Sequence, residues 1–152
     1  MMQRYNIVPP NIFNRIVNGR PAYTPVVVIS GADHAHIYVA GRTAMLPDGQ
    51  LAGVGDLRKQ LAQVCQEIHK SLDYVGATLN DVVRTVTYVL DVEAYAKVAD
   101  KRYRYFTESL PANTLLGISQ LAHPDMLIEI EAEAIVPPDR LKNLGAPVND
   151  DP

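Results

Sequence analysis

The sequence predicts an α+β domain in which a mixed β-sheet carries two helices on one face. Residues 128–134 alternate between apolar side chains and glutamates, which is the two-residue period of a strand. Residues 57–75 instead place apolar side chains three and four positions apart, as on an amphipathic helix. Other β-branched runs are bounded by turn residues. The length of 152 residues is that of one ordinary domain.

The first two strands are predicted to form a hairpin. Residues 26–29 are a continuous β-branched run typical of a buried strand, and residues 30–33 supply a turn. Residues 36–41 return to β character, so the two runs pair. Residues 1–24 are punctuated by Pro, Asn and Gly and predict no regular element.

Two helices and three more strands follow. Asp56 is placed to cap the helix over residues 57–75, and Gly76 occupies the position after its end. We expect a strand at 81–90, a second helix at 93–108, and strands at 114–119 and 127–136. The predicted order is therefore β-β-α-β-α-β-β.

This order predicts an oligomer, because two helices cover only one face of the sheet and a second subunit must cover the other. We place the domain at residues 1–137. Residues 138–152 are polar and proline-bearing, which favours a flexible or loosely docked tail.

Composition limits the function classes. The net charge of −3 disfavours a broad basic surface for nucleic acid. Cys65 is the only cysteine, so neither an intrachain disulfide nor a cysteine-rich metal site can form. The sequence contains no signal-peptide core and no apolar run of about 20 residues that would span a membrane. We expect a cytoplasmic protein without membrane contact.

The residues alone carry no strong enzyme motif. His34 and His36 are two residues apart and would share one face of a strand, but we favour two surface turn residues over a pair of metal ligands. We predict no metal and no organic cofactor. Cys65 is expected to be a buried, inert thiol. The glutamates at 129, 131 and 133 admit two explanations. They form either a solvent-facing row or a row in which one carboxylate faces an inter-subunit pocket as an acid–base group.

Several segments together resemble the YjgF–Rid family over residues 23–136. The matching pieces stand in the family's order: Val39-Ala40-Gly41-Arg42, Gly53-Val54-Gly55-Asp56-Leu57 with Gln60, Leu72-Asp73-Tyr74-Val75-Gly76 with Asp81-Val82-Val83, Tyr88-Val89-Leu90-Asp91, Leu110-Pro111-Ala112, and Ile128-Glu129-Ile130-Glu131-Ala132.

The resemblance implies a chorismate-mutase-like fold and a homotrimer around a central barrel, with ligand clefts between subunits. Active members hydrolyse enamines and imines such as 2-aminoacrylate and release ammonia, without a cofactor. The resemblance gives Glu129 the role of positioning or activating water.

The chain departs from the family at the residue that binds the substrate carboxylate. Where the family carries an arginine after the Pro-Ala pair, this chain has Asn113. Asparagine donates a hydrogen bond but lacks the charge that makes a bidentate clamp strong. We therefore expect a substrate other than 2-aminoacrylate, for example a 2-aminomuconate-like compound.

Three further residues are candidates for substrate binding. Arg42 either enters the cleft as a replacement cation or pairs with a surface acid such as Asp48. Tyr23 resembles a cleft tyrosine, although packing alone explains it equally well. Backbone N–H groups near Gly41 are placed to hold polar groups of the substrate.

The favoured function is an enamine or imine deaminase with Glu129 as its catalytic residue. The alternative is a non-catalytic trimeric protein that binds or senses a small molecule. A ribonuclease-like role, found among relatives, is disfavoured by the acidic charge balance.

Overall fold

The computed structural model describes residues 1–149. Its strands and α-helices, in chain order, are β1 (Gln3–Ile7), β2 (Ile16–Val17), β3 (Arg20–Pro21), β4 (Val26–Ser30), β5 (Ala35–Arg42), α1 (Leu57–Tyr74), β6 (Val82–Val89), α2 (Val92–Ala96), β7 (Ala112–Gly117) and β8 (Ile128–Val136). Three short 3₁₀ helices lie at Leu79–Asp81, Ala99–Arg104 and Pro138–Arg140.

Six strands form one mixed sheet in the order β1-β4-β5-β8-β6-β7. All neighbours are antiparallel except β6 and β7, which are parallel and are connected through α2 and the second 3₁₀ helix. The α+β class, the mixed sheet and the β4–β5 hairpin are confirmed. The strands β2 and β3 form a separate two-stranded hairpin.

The core lies between α1 and one face of the sheet. Ile128 and Ile130 of β8 are fully buried, as are Leu61 and Leu72 on the helix. Each such side chain contributes roughly 1.5–3 kcal/mol through burial. The predicted amphipathic helix is confirmed, including its cap, because the Asp56 carboxylate accepts a hydrogen bond from the Lys59 N–H at 3.0 Å.

The second helix is shorter than predicted. It ends at Ala96, Val98 leaves helical geometry with φ −120° and ψ −1°, and a 3₁₀ helix follows at Ala99–Arg104. At this break the Lys97 carbonyl accepts a hydrogen bond from the Arg58 guanidinium at 3.3 Å, outside any helical ladder. A tertiary contact thus accompanies the interruption of a segment whose apolar spacing predicts one continuous helix.

The first 24 residues contain three strands that we did not predict. β1 is a polar edge strand in which only Ile7 is buried, so its sequence lacks a clear apolar period. The β2–β3 turn has Asn18 and Gly19 at positive φ (51° and 74°), as type I′ hairpins require. The Asn-Gly pair is therefore a hairpin signal that was present in the sequence.

Residues 138–149 contact the domain. Arg140 pairs with Asp81 at 2.6 Å, the Asn143 amide donates to the Tyr74 carbonyl at 2.8 Å, and the Val148 N–H donates to the Arg4 carbonyl at 2.8 Å. The predicted boundary at residue 137 and the predicted mobility of the tail stay predictions, and residues 150–152 lie outside the described residues. Within residues 1–149, no helix has the length and apolarity needed to cross a bilayer.

Replacing Gly76 with alanine tests how α1 ends. Gly76 has φ +93°, and a Cβ there would overlap the backbone carbonyl of Arg140. Gly55 has φ +73° but open space around it, so Gly55→Ala is a matched control that isolates the conformational cost of about 1–2 kcal/mol. We expect Gly76→Ala to lower the free energy of unfolding in urea by clearly more than the control, at equal protein concentration. Equal losses would show that the Arg140 segment does not pack there in solution.

Candidate active site

A cavity of about 230 Å³ lies beside the end of β5, where Gly41 and Glu129 meet. Its walls come from the N-terminal segment, β5, and β8, and they include Phe13, Arg15, Tyr23 and Thr43. A β-bulge between Val39 and Arg42 shifts the β5–β8 register at this point. Bulges of this kind redirect side chains and are common beside functional sites.

The Glu129 carboxylate packs directly against the backbone of Gly41. A Cβ at Gly41 would overlap carboxylate oxygen Oε1 and lie 2.8 Å from carbon Cδ. Any side chain at position 41 would therefore displace the acid. The close approach explains physically why glycine stands here.

Burial raises the pKa of the Glu129 carboxyl above its ordinary value, and the nearby charge of Glu131 adds to this effect. The positive charge of Arg42 acts in the opposite direction but does not cancel it. Desolvation penalises the ionised form, so the proton is held more strongly than by a glutamate in water. The site thus contains a carboxyl group that holds its proton to higher pH than a glutamate in water does.

The three glutamates of β8 have different surroundings. Glu129 lines the cavity, whereas Glu133 pairs with Arg84 of β6 at 3.3 Å in a partly exposed position. Glu131 lies beside Tyr88, and burial together with this carboxylate raises the pKa of the Tyr88 hydroxyl. Glu129 therefore lines the cavity beside Gly41, whereas Glu131 and Glu133 line a separate cavity of about 280 Å³ next to Tyr38.

Arg42 is only 3% exposed, and its guanidinium is engaged by protein groups. It donates to the Phe13 carbonyl at 3.1 Å, to the Tyr23 hydroxyl at 3.3 Å, and to carbonyl groups of its own strand. Its Cζ also lies 5.9 Å from the centroid of the Tyr23 ring. Neither the surface pair with Asp48 nor a side chain projecting into the cavity is observed among the contacts of residues 1–149. Its substrate-binding role stays a prediction.

Asn113 lies away from Glu129 within one chain. On β7 it pairs with Thr85, whose other neighbour is the core-facing Ala132 of β8. The Asn113 amide oxygen accepts hydrogen bonds from the hydroxyls of Thr85 and Thr87, both at 2.9 Å. Glu129 points to the opposite side of the sheet. The structure therefore brings together Tyr23, Gly41 and Glu129, but not Asn113.

The cavity also contains a cation that sequence reasoning missed. Arg15 lines the cavity from the segment just before β2. Its carbonyl accepts a hydrogen bond from the Ala22 N–H at 2.8 Å across the hairpin base. Identifying the Asn18-Gly19 turn would have shown that the chain doubles back here, bringing residues 13–15 close to Tyr23.

Two other chemistry-bearing groups lie outside the cavity. Cys65 is fully buried, and burial raises the pKa of its thiol to about 12, so the predicted inert thiol is confirmed. The His34 and His36 rings lie 5.3 Å apart on the surface. Across the described residues, no group of three or more His, Cys, Asp or Glu side chains is arranged to hold a metal.

Comparison with known proteins identifies one family. The family described as Endoribonuclease L-PSP matches residues 17–136. A RutC family protein of Pyrococcus abyssi is 38% identical over 98 residues, which cover 64% of this chain and 76% of that protein.

Solved structures agree with this match. A Mycobacterium tuberculosis member of the YjgF/YER057c/UK114 family superposes with a TM-score of 0.64 at 32% identity, covering 75% of this chain and 86% of that chain. The Rid-family protein YyfA of Yersinia pestis superposes with a TM-score of 0.73 at 26% identity, covering 88% of this chain and 99% of that chain.

The raised pKa of Glu129 makes a prediction about stability. Because its pKa is higher in the folded chain than in the unfolded chain, ionisation costs the folded state free energy at pH values above the folded pKa. We expect Glu129→Gln to raise the thermal denaturation midpoint at pH 8, with the gain vanishing below the ordinary glutamate pKa of about 4.3.

The matched control is Glu133→Gln, which removes the ion pair with Arg84 and should give no gain. Denaturation midpoints are compared from pH 4 to pH 8 at one protein concentration. A Glu129→Gln variant no more stable than the wild type at pH 8 would contradict the desolvation of this carboxyl.

Proposed function

The chain belongs to the YjgF–Rid family, and from this membership and the cavity at Glu129 we propose that it hydrolyses an enamine or imine and releases ammonia. The observation that carries the proposal is the Glu129 carboxyl, held against Gly41 with a raised pKa in a cavity of about 230 Å³. A carboxyl group with a raised pKa is suited to accept a proton and return it during a reaction.

Glu129 serves as both base and acid in the proposed reaction. An enamine first takes a proton on carbon from the Glu129 carboxyl, which becomes a carboxylate, and the enamine becomes an iminium ion. The Glu129 carboxylate accepts a proton as water adds to the iminium carbon, forming a C–O bond. That proton then passes to nitrogen, the C–N bond breaks as the new hydroxyl group returns its proton to Glu129, and a carbonyl compound and ammonia leave. The net change is one water consumed, with no electrons gained or lost.

Other groups of the cavity orient the substrate in this proposal. Tyr23 and Gly41 line the cavity, where the Tyr23 hydroxyl and the Gly41 backbone N–H would hold polar groups of the substrate. Arg15 supplies positive charge at the cavity wall. Arg42 acts from behind Tyr23 through its hydrogen bond to the hydroxyl. No metal or organic cofactor enters the reaction.

The proposed substrate is larger than 2-aminoacrylate and resembles 2-aminomuconate. Asn113 replaces the family's charged clamp, and loss of such a contact costs roughly 2–5 kcal/mol when the partner charge is buried. A longer substrate can place its carboxylate farther from Asn113, and Arg15, which lines the same cavity, is a cation that could bind it.

We propose that the active assembly is a homotrimer in the cytoplasm. The sheet face opposite α1 exposes large apolar side chains, including Tyr38 at 40% and Ile135 at 37%. β7 is exposed along its whole length. Covering this face with neighbouring copies buries these side chains.

A non-catalytic small-molecule-binding protein is the alternative, and Asn113 is the residue that favours it. A thermal-shift screen separates the two functions, since a ligand that stabilises the protein and is recovered unchanged supports binding alone. The family description names an endoribonuclease, but the net charge of −3 weighs against RNA for this chain.

Ammonia release tests the reaction. We expect hydrolysis of 2-aminomuconate to exceed that of 2-aminoacrylate, and Glu129→Gln to reduce the rate at least about 100-fold, as loss of a general acid–base does. Glu133→Gln, on the same strand and the same face, should retain the wild-type rate. Wild-type activity in Glu129→Gln would contradict the catalytic role.

Sedimentation tests the assembly. We expect the wild type to have a mass three times that of the 16.7 kDa chain. Ile135→Asp places a charge on the apolar sheet face and should shift the protein toward monomers, whereas Val54→Asp, at an exposed loop position, should not. A monomeric wild type at micromolar concentration would refute the trimer.

A further inference from the structure

Glu67 is a buried acid that the proposed reaction does not use. It lies on α1 and is 1% exposed. Oxygen Oε1 accepts hydrogen bonds from the Gln63 amide at 2.8 Å and from the Lys70 ammonium at 2.9 Å. Oxygen Oε2 is buried and has no protein donor among residues 1–149. A buried carboxylate oxygen left without a donor is costly, so this atom calls for a partner.

Glu67 borders a small polar compartment formed with Tyr23, Arg42 and Thr43. The compartment has a volume of about 20 Å³. One water needs roughly 10–15 Å³ and two to four polar partners, and this compartment meets both conditions. Tyr23, Gly41 and Thr43 also line the larger cavity, so the two spaces are adjacent.

The charges around the compartment favour water over an ion. Arg42 is 3% exposed and contributes N–H donors, while Glu67 contributes an acceptor. No direct ion pair joins these two side chains in the described part of the chain. A water oxygen accepts from a guanidinium while its proton is donated to a carboxylate, whereas a cation would be repelled by Arg42.

We propose that one water molecule occupies the polar compartment, bridges Arg42 to Glu67, and makes Glu67 a positioning residue for the Arg42–Tyr23 pair. The bridging water would hold the Arg42 guanidinium in the position from which it donates to the Tyr23 hydroxyl at 3.3 Å. The oxygen of that hydroxyl is then an acceptor, and its own proton is free to be donated to a ligand in the larger cavity.

In this proposal the charge of Glu67, which pairs with Lys70 at 2.9 Å, also offsets part of the charge of Arg42. The charge of Arg42 in turn lowers the pKa of Glu129. The groups around Glu129 are Arg42 on β5, Glu131 on its own strand, Tyr88 on β6, and Arg15 and Tyr23 in the cavity wall. Neutralising Glu67 leaves the positive charges of Arg42 and Lys70 less compensated, so Glu129 should give up its proton at lower pH.

Two measurements test the proposal. A crystal structure of the wild type, at a resolution that reveals ordered waters, should show density within hydrogen-bond distance of both Glu67 Oε2 and Arg42. Soaking in ammonium chloride distinguishes water from ammonium, because only ammonium occupancy would depend on that salt. An empty compartment, an ammonium ion, or direct contact between Arg42 and Glu67 would overturn the proposal.

The second measurement is the titration of Glu129, followed by carboxyl ¹³C NMR in Glu67→Gln. We expect its midpoint to move to lower pH, with no movement in Glu93→Gln, an exposed control on α2. An unchanged or higher midpoint would contradict the positioning role. If Glu67→Gln does not fold, the wild-type crystal structure alone decides.

The inference rests on the proposed function only in treating the cavity beside Glu129 as the reaction site. Both measurements are made without substrate. A negative result in either measurement would not contradict the proposed deaminase reaction. A protein without deaminase activity would not contradict the bridging water.

Discussion

The contact between the Glu129 carboxylate and the Gly41 backbone is the constraint on which the site depends. Glycine at position 41 allows the acid to lie against β5, and the same contact removes part of the water around the carboxyl. Its pKa rises for this reason. The geometry on which the proposed acid–base role depends is therefore also a cost to the folded chain, as is common where function and stability compete.

The fold places this contact at the junction of three separate segments. β5 ends in a bulge, β8 presents Glu129 away from the core, and residues 13–23 close the cavity from the other side. Arg42 links these segments, since its guanidinium reaches the Phe13 carbonyl and the Tyr23 hydroxyl from the end of β5. A buried arginine used in this way sets the shape and electrostatic potential of the cavity. It is not observed to project into the cavity toward a ligand.

Much of the domain could be predicted because its signals are local and periodic. The alternation along β8 separates core residues from glutamates, and the spacing in α1 defines its buried face together with the cap at Asp56. The second helix was predicted too long, because the apolar spacing of its segment continues past the break at Val98, where the Lys97 carbonyl bonds to Arg58 instead of to a helical N–H. β1 was missed because an edge strand with one buried residue has little apolar pattern.

The site was predicted only in part for a related reason. Glu129, Gly41 and Tyr23 do share a cavity, but Asn113 faces the other side of the sheet within one chain. Arg15 and Glu67 carry no sequence signal of their own, because their importance comes from the segments that pack against them. A motif read along the chain records which residues are present, whereas the direction of each side chain depends on strand register.

The most direct measurement of the central claim is the titration of Glu129 in the wild-type protein by carboxyl ¹³C NMR. Desolvation against Gly41 requires a midpoint above the ordinary glutamate value of about 4.3. A midpoint at or below that value would mean that the carboxyl is hydrated or held by positive charge, and it would contradict the acid–base role assigned to this cavity.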